Sequence, residues 1–351
     1  VKLALDPQMF YATHSVLDLP DVVARLGYSW LELSPKADFI PFFGHPRADD
    51  ATVAKLRKRA ADAGVGIASV LPVLRWSGPG EEERQAAVRA WKRAIQIAVD
   101  LGVDTMNSEF NGRPEAAEFA ESQFLRSMDE LIPVFEREGV KLVLEPHPDD
   151  FIEDGHAAVR LVRGLNREWI SFLYCTPHTF HQGNDAAGII ADAGEKVTYV
   201  HLADTLDHTA SNGLRYIVNP PGSTVRVHQH AEIGRGEVDF DEVFAALADV
   251  GFDGVVSSCV FGWEERAEEI SVRQREKAAG LVVSGREVEC RLVWLGLRPP
   301  PARWNRLAAA KGAHPVGCAP FVVDQLAVGK LNAAPCASVS GHRVVTTLAR
   351  V

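Results

Sequence analysis

Apolar residues gather in short runs of six to eight that recur about every 30 to 35 positions from Lys2 to Phe261. They are KLALDP (2–7), WLELSP (30–35), GIASVLP (66–72), TMNSEF (105–110), KLVLEPH (141–147), ISFLYC (170–175), VTYVHLAD (197–204) and GVVSSCVF (254–261). Runs this short, bounded by turn-forming residues, read as buried strands. Between them the apolar positions step by three and four, as in Val88, Trp91, Ile95, Ala98 and Val99, or Leu125, Met128, Leu131, Ile132 and Phe135. That spacing is the mark of an amphipathic helix. Five helical stretches close on a glycine, at Gly27, Gly64, Gly102, Gly139 and Gly251, where a left-handed residue ends a helix. Eight strands, each trailed by a helix, predict an α/β fold of the (β/α)8 TIM-barrel type. An open doubly wound sheet is the alternative, but no GxGxxG follows the first strand and a dinucleotide crevice has no support.

The periodicity weakens from Ser284 onward. Residues 1–283 are therefore read as the catalytic barrel and 284–351 as an extension outside it with no catalytic part; a frame-shifted or fused end to the coding sequence is the alternative. With 351 residues, 46% apolar and 24% charged, the chain can bury a sizeable core, which excludes disorder, collagen and coiled coil. No run approaches the roughly 18 to 20 apolar residues that cross a bilayer. Nor does Val1-Lys2 open a basic region followed by an apolar core, so a soluble, cytoplasmic protein is expected. Five irregularly spaced cysteines argue against a secreted disulfide framework. The formal charge of −10 combines about +6 in residues 284–351 with −16 in the rest. A body so acidic repels a phosphate backbone, which excludes nucleic acid as a partner.

A barrel of this type carries its chemistry at the C-terminal ends of its strands and in the loops beyond them. Polar residues collect there: Asp6, Glu32, Glu109, Glu145 with His147, His178, and His201 with Asp204. The longest connection, 205–239, is too long for an idle turn. It carries His208, Arg215, Tyr216, His228, His230 and Glu232 and is expected to shape or cover a substrate site. Six histidines (His147, His178, His181, His201, His228, His230) fall at or after strands five to seven. Together with Glu145 they form the imidazole and carboxylate set that suits Mn2+, Zn2+ or Fe2+. A polar pocket without metal is the alternative. Glu145 and His147, two apart on one strand, share a face, so one can bind metal while the other moves a proton. The plainer reading is a pair that pins the Pro-Asp-Asp loop. Cys175 and Cys259 are read as buried small apolar residues rather than thiolate ligands.

The strand endings, the ELSP after strand two, LEPHPDDF (144–151) and HLADT (201–205) resemble the xylose isomerase-like TIM-barrel family, the sugar-phosphate isomerase/epimerase or endonuclease-IV-like group, over about residues 1–280. More narrowly, SVLPVLRWSGP (69–79), MNSEFNGRPE (106–115) and LRYIVNPPG (214–222) resemble the inositol-catabolism group IolH. In the wider family a divalent metal is held by a Glu ending strand five, an Asp ending strand six, a His ending strand seven and a Glu ending strand eight. The resemblance places the first on Glu145 and the third on His201. The second and fourth fall on Cys175 and on or near Cys259, so two carboxylates are missing. In the endonuclease-like members further ligands correspond to His178 and to His228 with His230.

The metal set implied is Glu145, His178, His201 and His230, with Cys175, His228 and Cys259 in reserve. Glu32, Glu109, Asp204, Arg215 and Tyr216 are expected to contact substrate, and His147 or Glu145 to shuttle the proton. The chemistry implied is proton removal next to the carbonyl of a sugar, sugar phosphate or keto-cyclitol, in carbohydrate or inositol catabolism, by an isomerase or epimerase. Loss of one glutamate favours single-base isomerisation or elimination over two-base epimerisation. Alternatives are a lyase cleaving 3-oxo-glycosides with a small partner subunit, and a sugar-binding barrel without chemistry. A homo-oligomer is also compatible with the resemblance.

Overall fold

A computed structural model describes residues 1–183, 185–205, 217–218, 226–227 and 229–294. Eight parallel strands close into a barrel, as the periodicity predicts. They are β1 (Lys2–Leu5), β2 (Trp30–Leu33), β3 (Gly66–Val70), β4 (Thr105–Glu109), β5 (Lys141–Glu145), β6 (Ile170–Cys175), β7 (Val197–Leu202) and β8 (Val255–Ser258). Going round the barrel the strands follow chain order, and β8 pairs with β1 through Lys2↔Val255 to Leu5↔Ser258. Closure leaves no unpaired strand edge.

The helices are α1 (Leu19–Arg25), α2 (Asp50–Asp62), α3 (Glu81–Leu101), α4 (Ala117–Glu138), α5 (Gly155–Gly164), α6 (Thr176–His181), α7 (Ala186–Ala193), α8 (Phe240–Asp249) and α9 (Ala267–Trp294). Gly102 (φ 77) and Gly139 (φ 68) end α3 and α4 in the left-handed conformation that a side chain would resist. Aromatic rings fill the layer between these helices and the barrel: Trp76 stacks on Trp91 at 4.5 Å, and Phe135 stacks on Trp169 at 5.5 Å.

The chain divides into two units, Val1–Leu297 and Arg298–Val351, and the described residues all lie in the first. α9 continues past residue 284, so the barrel's last helix enters the segment read from sequence as an extension. Among the described residues no helix is long and apolar enough to cross a membrane.

Candidate metal and proton-transfer site

Side chains alternate across a strand, so β5, β6 and β7 each turn one set toward the helices and the other into the barrel. Leu142, Leu144, Phe172, Tyr174, Val200 and Leu202 join the main core, while Val143, Leu173 and Tyr199 cluster separately with Cys175. The same alternation delivers Glu145, Cys175 and His201 together at the C-terminal mouth. Strand register sets Cys175 beside His201, and His201 beside Ser257 of β8. Glu145 is 2% exposed and His201 5%.

His201 lies between two carboxylates. Its Nδ1 is 3.1 Å from Glu145 Oε2, and its Nε2 is 3.1 and 3.2 Å from the two oxygens of Glu32. Burial alone would strip the proton from this ring, but Glu145 and Glu32 outweigh it and hold the His201 pKa well above the usual imidazole value. Burial pushes the Glu32 carboxyl up, yet the facing His201 pulls it below its ordinary value. The result is a ring held between two carboxylates, one facing each nitrogen. Asn107 Nδ2 (2.7 Å) and Ser69 Oγ (3.2 Å) donate to Glu32 Oε1 and fix its orientation.

His178, in the first turn of α6, and His230 complete the cluster. His178 Nδ1 is 3.0 Å from the carbonyl oxygen of Pro146 and 3.5 Å from Glu145 Oε2. His230 Nδ1 is 2.8 Å from the carbonyl oxygen of Cys259 and 3.3 Å from its Sγ. A carbonyl only accepts, so each ring carries its proton on Nδ1 and presents the Nε2 lone pair. The two Nε2 atoms then meet at 3.2 Å. Burial lowers the His230 pKa to about 3, so that ring is neutral at ordinary pH.

Two lone pairs converging in a buried pocket fit a cation, and anchoring of the other ring nitrogen on a backbone carbonyl is the usual support of a metal-ligating histidine. Among the described residues three donor sets each have their ligand atoms within 4.8 Å of one another: Cys175, His178 and His230; Glu145, Cys175 and His201; and, at the neighbouring cavity, Glu109, His147 and Asp150. The four ligands expected from sequence are thus divided between the first two sets. Burial pushes the Cys175 thiol up to about 12, a state that a coordinated divalent ion reverses.

A cavity of about 520 Å3 opens beside this cluster, lined in part by Glu109, His147, Asp150, Asn111, Arg75 and Phe43. His147 joins cavity and cluster: its ring is 4.7 Å from that of His178, and its Nε2 is 3.8 Å from Glu109 Oε1. Asp150 Oδ2 accepts the backbone N–H of Asn111 at 2.6 Å. Burial pushes the carboxyls of Glu109 and Asp150 above their usual range, with the Glu109 charge adding to the effect on Asp150. Phe43 (φ 53), Asn111 (φ 59) and Asp149 (φ 73) line this cavity in left-handed conformations, the kind of backbone strain that collects at working sites. Arg75 stacks on Phe43 at 4.5 Å and has no carboxylate partner among the described residues.

The residues expected to contact substrate separate by position. Glu109 lines the cavity. Glu32 is fully buried, and its carboxylate faces His201, Asn107 and Ser69 beneath the rim. Asp204, 1% exposed, accepts the backbone N–H groups of Thr205 (2.9 Å), Gly234 (2.7 Å) and Val238 (3.2 Å), so its carboxylate ties together the two ends of the long connection. Arg215, Tyr216 and His228 lie outside the described residues. Cys259, 4% exposed, stands behind His230. Asp150 and Arg75 line the cavity and were not singled out from the sequence. Both sit in stretches that carry the family resemblance, LEPHPDDF and SVLPVLRWSGP, a signal that could have found them.

Residues 20–276 match the family model described as xylose isomerase-like TIM barrel. An inosose isomerase from Bacillus licheniformis is 26% identical over 161 residues, 45% of this chain and 54% of that protein, so the match spans about half the relative's length. Among solved structures, a D-psicose 3-epimerase in the presence of D-fructose superposes with a TM-score of 0.63 at 15% identity, covering 80% of this chain and 99% of that one. An IolI protein with a bound zinc atom does so with a TM-score of 0.63 at 20% identity, covering 81% and 99%. At such identities the structural likeness is one of fold, and the family model spans most of the sequence. The chain belongs to the xylose isomerase-like TIM-barrel family.

Proposed function

We propose that the protein is an isomerase that removes a proton from the carbon next to the carbonyl of a keto-inositol or ketose, in inositol or carbohydrate catabolism. Its cofactor is a divalent ion, Zn2+, Mn2+ or Fe2+, held among Glu145, His178, His201 and His230. The observation that carries this reading is the position of His147, which lines the 520 Å3 cavity while its ring packs on the cluster histidine His178. A proton carrier thus faces the substrate space with cation donors directly behind it. The inosose isomerase relative, the ketose epimerase of the same fold and the zinc in IolI support the choice of substrate class and metal.

A divalent ion bound there supplies polarisation of the substrate carbonyl. His147 takes the proton from the neighbouring carbon and returns it to the adjacent position, within reach of Glu109. Glu145 orients His201 and His178 and is the alternative base. Arg75 and Phe43 border the outer part of the cavity and position the remainder of the substrate.

Solvent deuterium exchange into a panel of keto-inositols, ketoses and 3-oxo-glycosides tests the reading. Exchange into a keto-inositol or ketose is expected. His147→Gln should abolish it with metal content nearly intact, whereas Glu145→Gln and His201→Gln should lose metal. Ligand-dependent melting shifts without exchange would make this a binding barrel, and aglycone loss from 3-oxo-glycosides would make it a lyase.

A further inference from the structure

We propose that Cys175 is a ligand of the divalent ion, which makes this a thiolate-containing site selective for Zn2+ over Mn2+ and Mg2+. Of the three donor sets, the two at the barrel mouth, Cys175 with His178 and His230 and Glu145 with Cys175 and His201, share Cys175, while the third, Glu109 with His147 and Asp150, lies at the cavity and has no sulfur. An ion in either half of the mouth cluster meets this sulfur.

The position is dictated by the backbone. Cys175 ends β6, alternation turns it inward, and its pairing with His201 fixes its height at the mouth of the barrel. The apolar interior formed by Val143, Leu173 and Tyr199 meets this residue from one side. On the other side stand four ionisable or coordinating side chains, Glu145, His178, His201 and His230, surroundings that suit a ligand better than a space-filling methyl equivalent.

The histidine geometry agrees. Two nitrogen ligands on a tetrahedral ion, each at about 2.0–2.1 Å, lie roughly 3.3 Å apart. His178 Nε2 and His230 Nε2 are 3.2 Å apart, with both Nδ1 atoms anchored on backbone carbonyls. Two imidazoles and a sulfur, with a carboxylate adjoining, form a donor set of the kind zinc prefers; Mn2+ and Mg2+ favour oxygen. The thiol releases its proton to solvent as the metal–sulfur bond forms. Cys259 serves as the internal control, because its sulfur faces the Nδ1 of His230 and it belongs to neither donor set.

The test uses the full chain, stripped with a chelator and reloaded with Co2+. A sulfur-to-cobalt charge-transfer band in the near ultraviolet is expected in the wild type and in Cys259→Ser. It should vanish in Cys175→Ser, with cobalt affinity down about tenfold or more. Cys175→Asp should bind metal without the band and shift preference toward Mn2+. X-ray absorption of the zinc-loaded wild type, which needs no variant to fold, should show one sulfur at about 2.3 Å. Failure to bind cobalt, a wild type without the band, a band that survives in Cys175→Ser, or a sulfur-free first sphere would overturn the proposal. These readouts are independent of turnover: absent deuterium exchange would defeat the isomerase reading and leave the thiolate assignment standing.

Discussion

Asp6 is expected to make the fold less stable as pH rises toward neutrality, so Asp6→Asn should stabilise it. The carboxyl ends up just beyond β1, 8% exposed, with Ser34 Oγ donating to Oδ1 at 2.7 Å and Tyr11 bonded in turn to that hydroxyl at 2.8 Å. Burial and the nearby Glu32 charge raise its pKa from 3.8 to about 7. The folded protein therefore keeps this proton while the unfolded chain has lost it. Stability from this group is full below about pH 4 and is lost as pH climbs through about 7. The rise in pKa, at about 1.4 kcal/mol for each pH unit, sets a ceiling of about 4 kcal/mol. Asparagine keeps an acceptor for Ser34 and cannot ionise. Urea unfolding of wild type and variant from pH 4 to 8.5 should give similar midpoints at the acid end and a widening advantage for Asp6→Asn that levels off above about pH 7. A difference independent of pH, or a variant weakest at pH 8, would refute the argument.

Asp204→Ala removes the acceptor for three backbone N–H groups and should cost about 2–5 kcal/mol in urea unfolding, since each buried orphan donor costs about 1–3. Gly236→Ala should also lower the urea midpoint, because its Cβ would collide with the Thr205 carbonyl and the Asp204 carboxylate. Trp76→Ala should cost about 3–5 kcal/mol by the same assay, because it empties the stack on Trp91 and removes the Nε1–H donor shared by the carbonyls of Glu109 and Phe110. Removal of divalent metal by chelation should lower the melting temperature, and restoring zinc at about a hundred times its Kd should return roughly 3 kcal/mol.

The barrel was legible because strand and helix have different periods, and these runs keep their period from Lys2 to Phe261. α9 shows where that signal fails: its apolar positions lose their register past Val283, yet the helix continues to Trp294. The strand-end residues Glu145 and His201 were legible too, because a polar residue at the last inward position of a strand must face the mouth. Depth and contact were not. Pairing of β2 with β3 shifts by one residue between Leu31 and Glu32, from Leu31↔Ile67 to Glu32↔Ser69. That irregularity accompanies the placement of Glu32 under His201, beside Ser69 and Asn107. A bulge is a property of two strands meeting, so neither sequence alone announces it. Cys175 was kept only in reserve as a ligand for a related reason. As a residue type it is a small apolar filler more often than a ligand, and its different surroundings come from Glu145 of β5, His201 of β7 and His230 at the far end of the long loop, which meet it beside His178 of the helix that follows it. What sets its chemistry is the company assembled around it by three separate segments, and that company exists only once the barrel has closed.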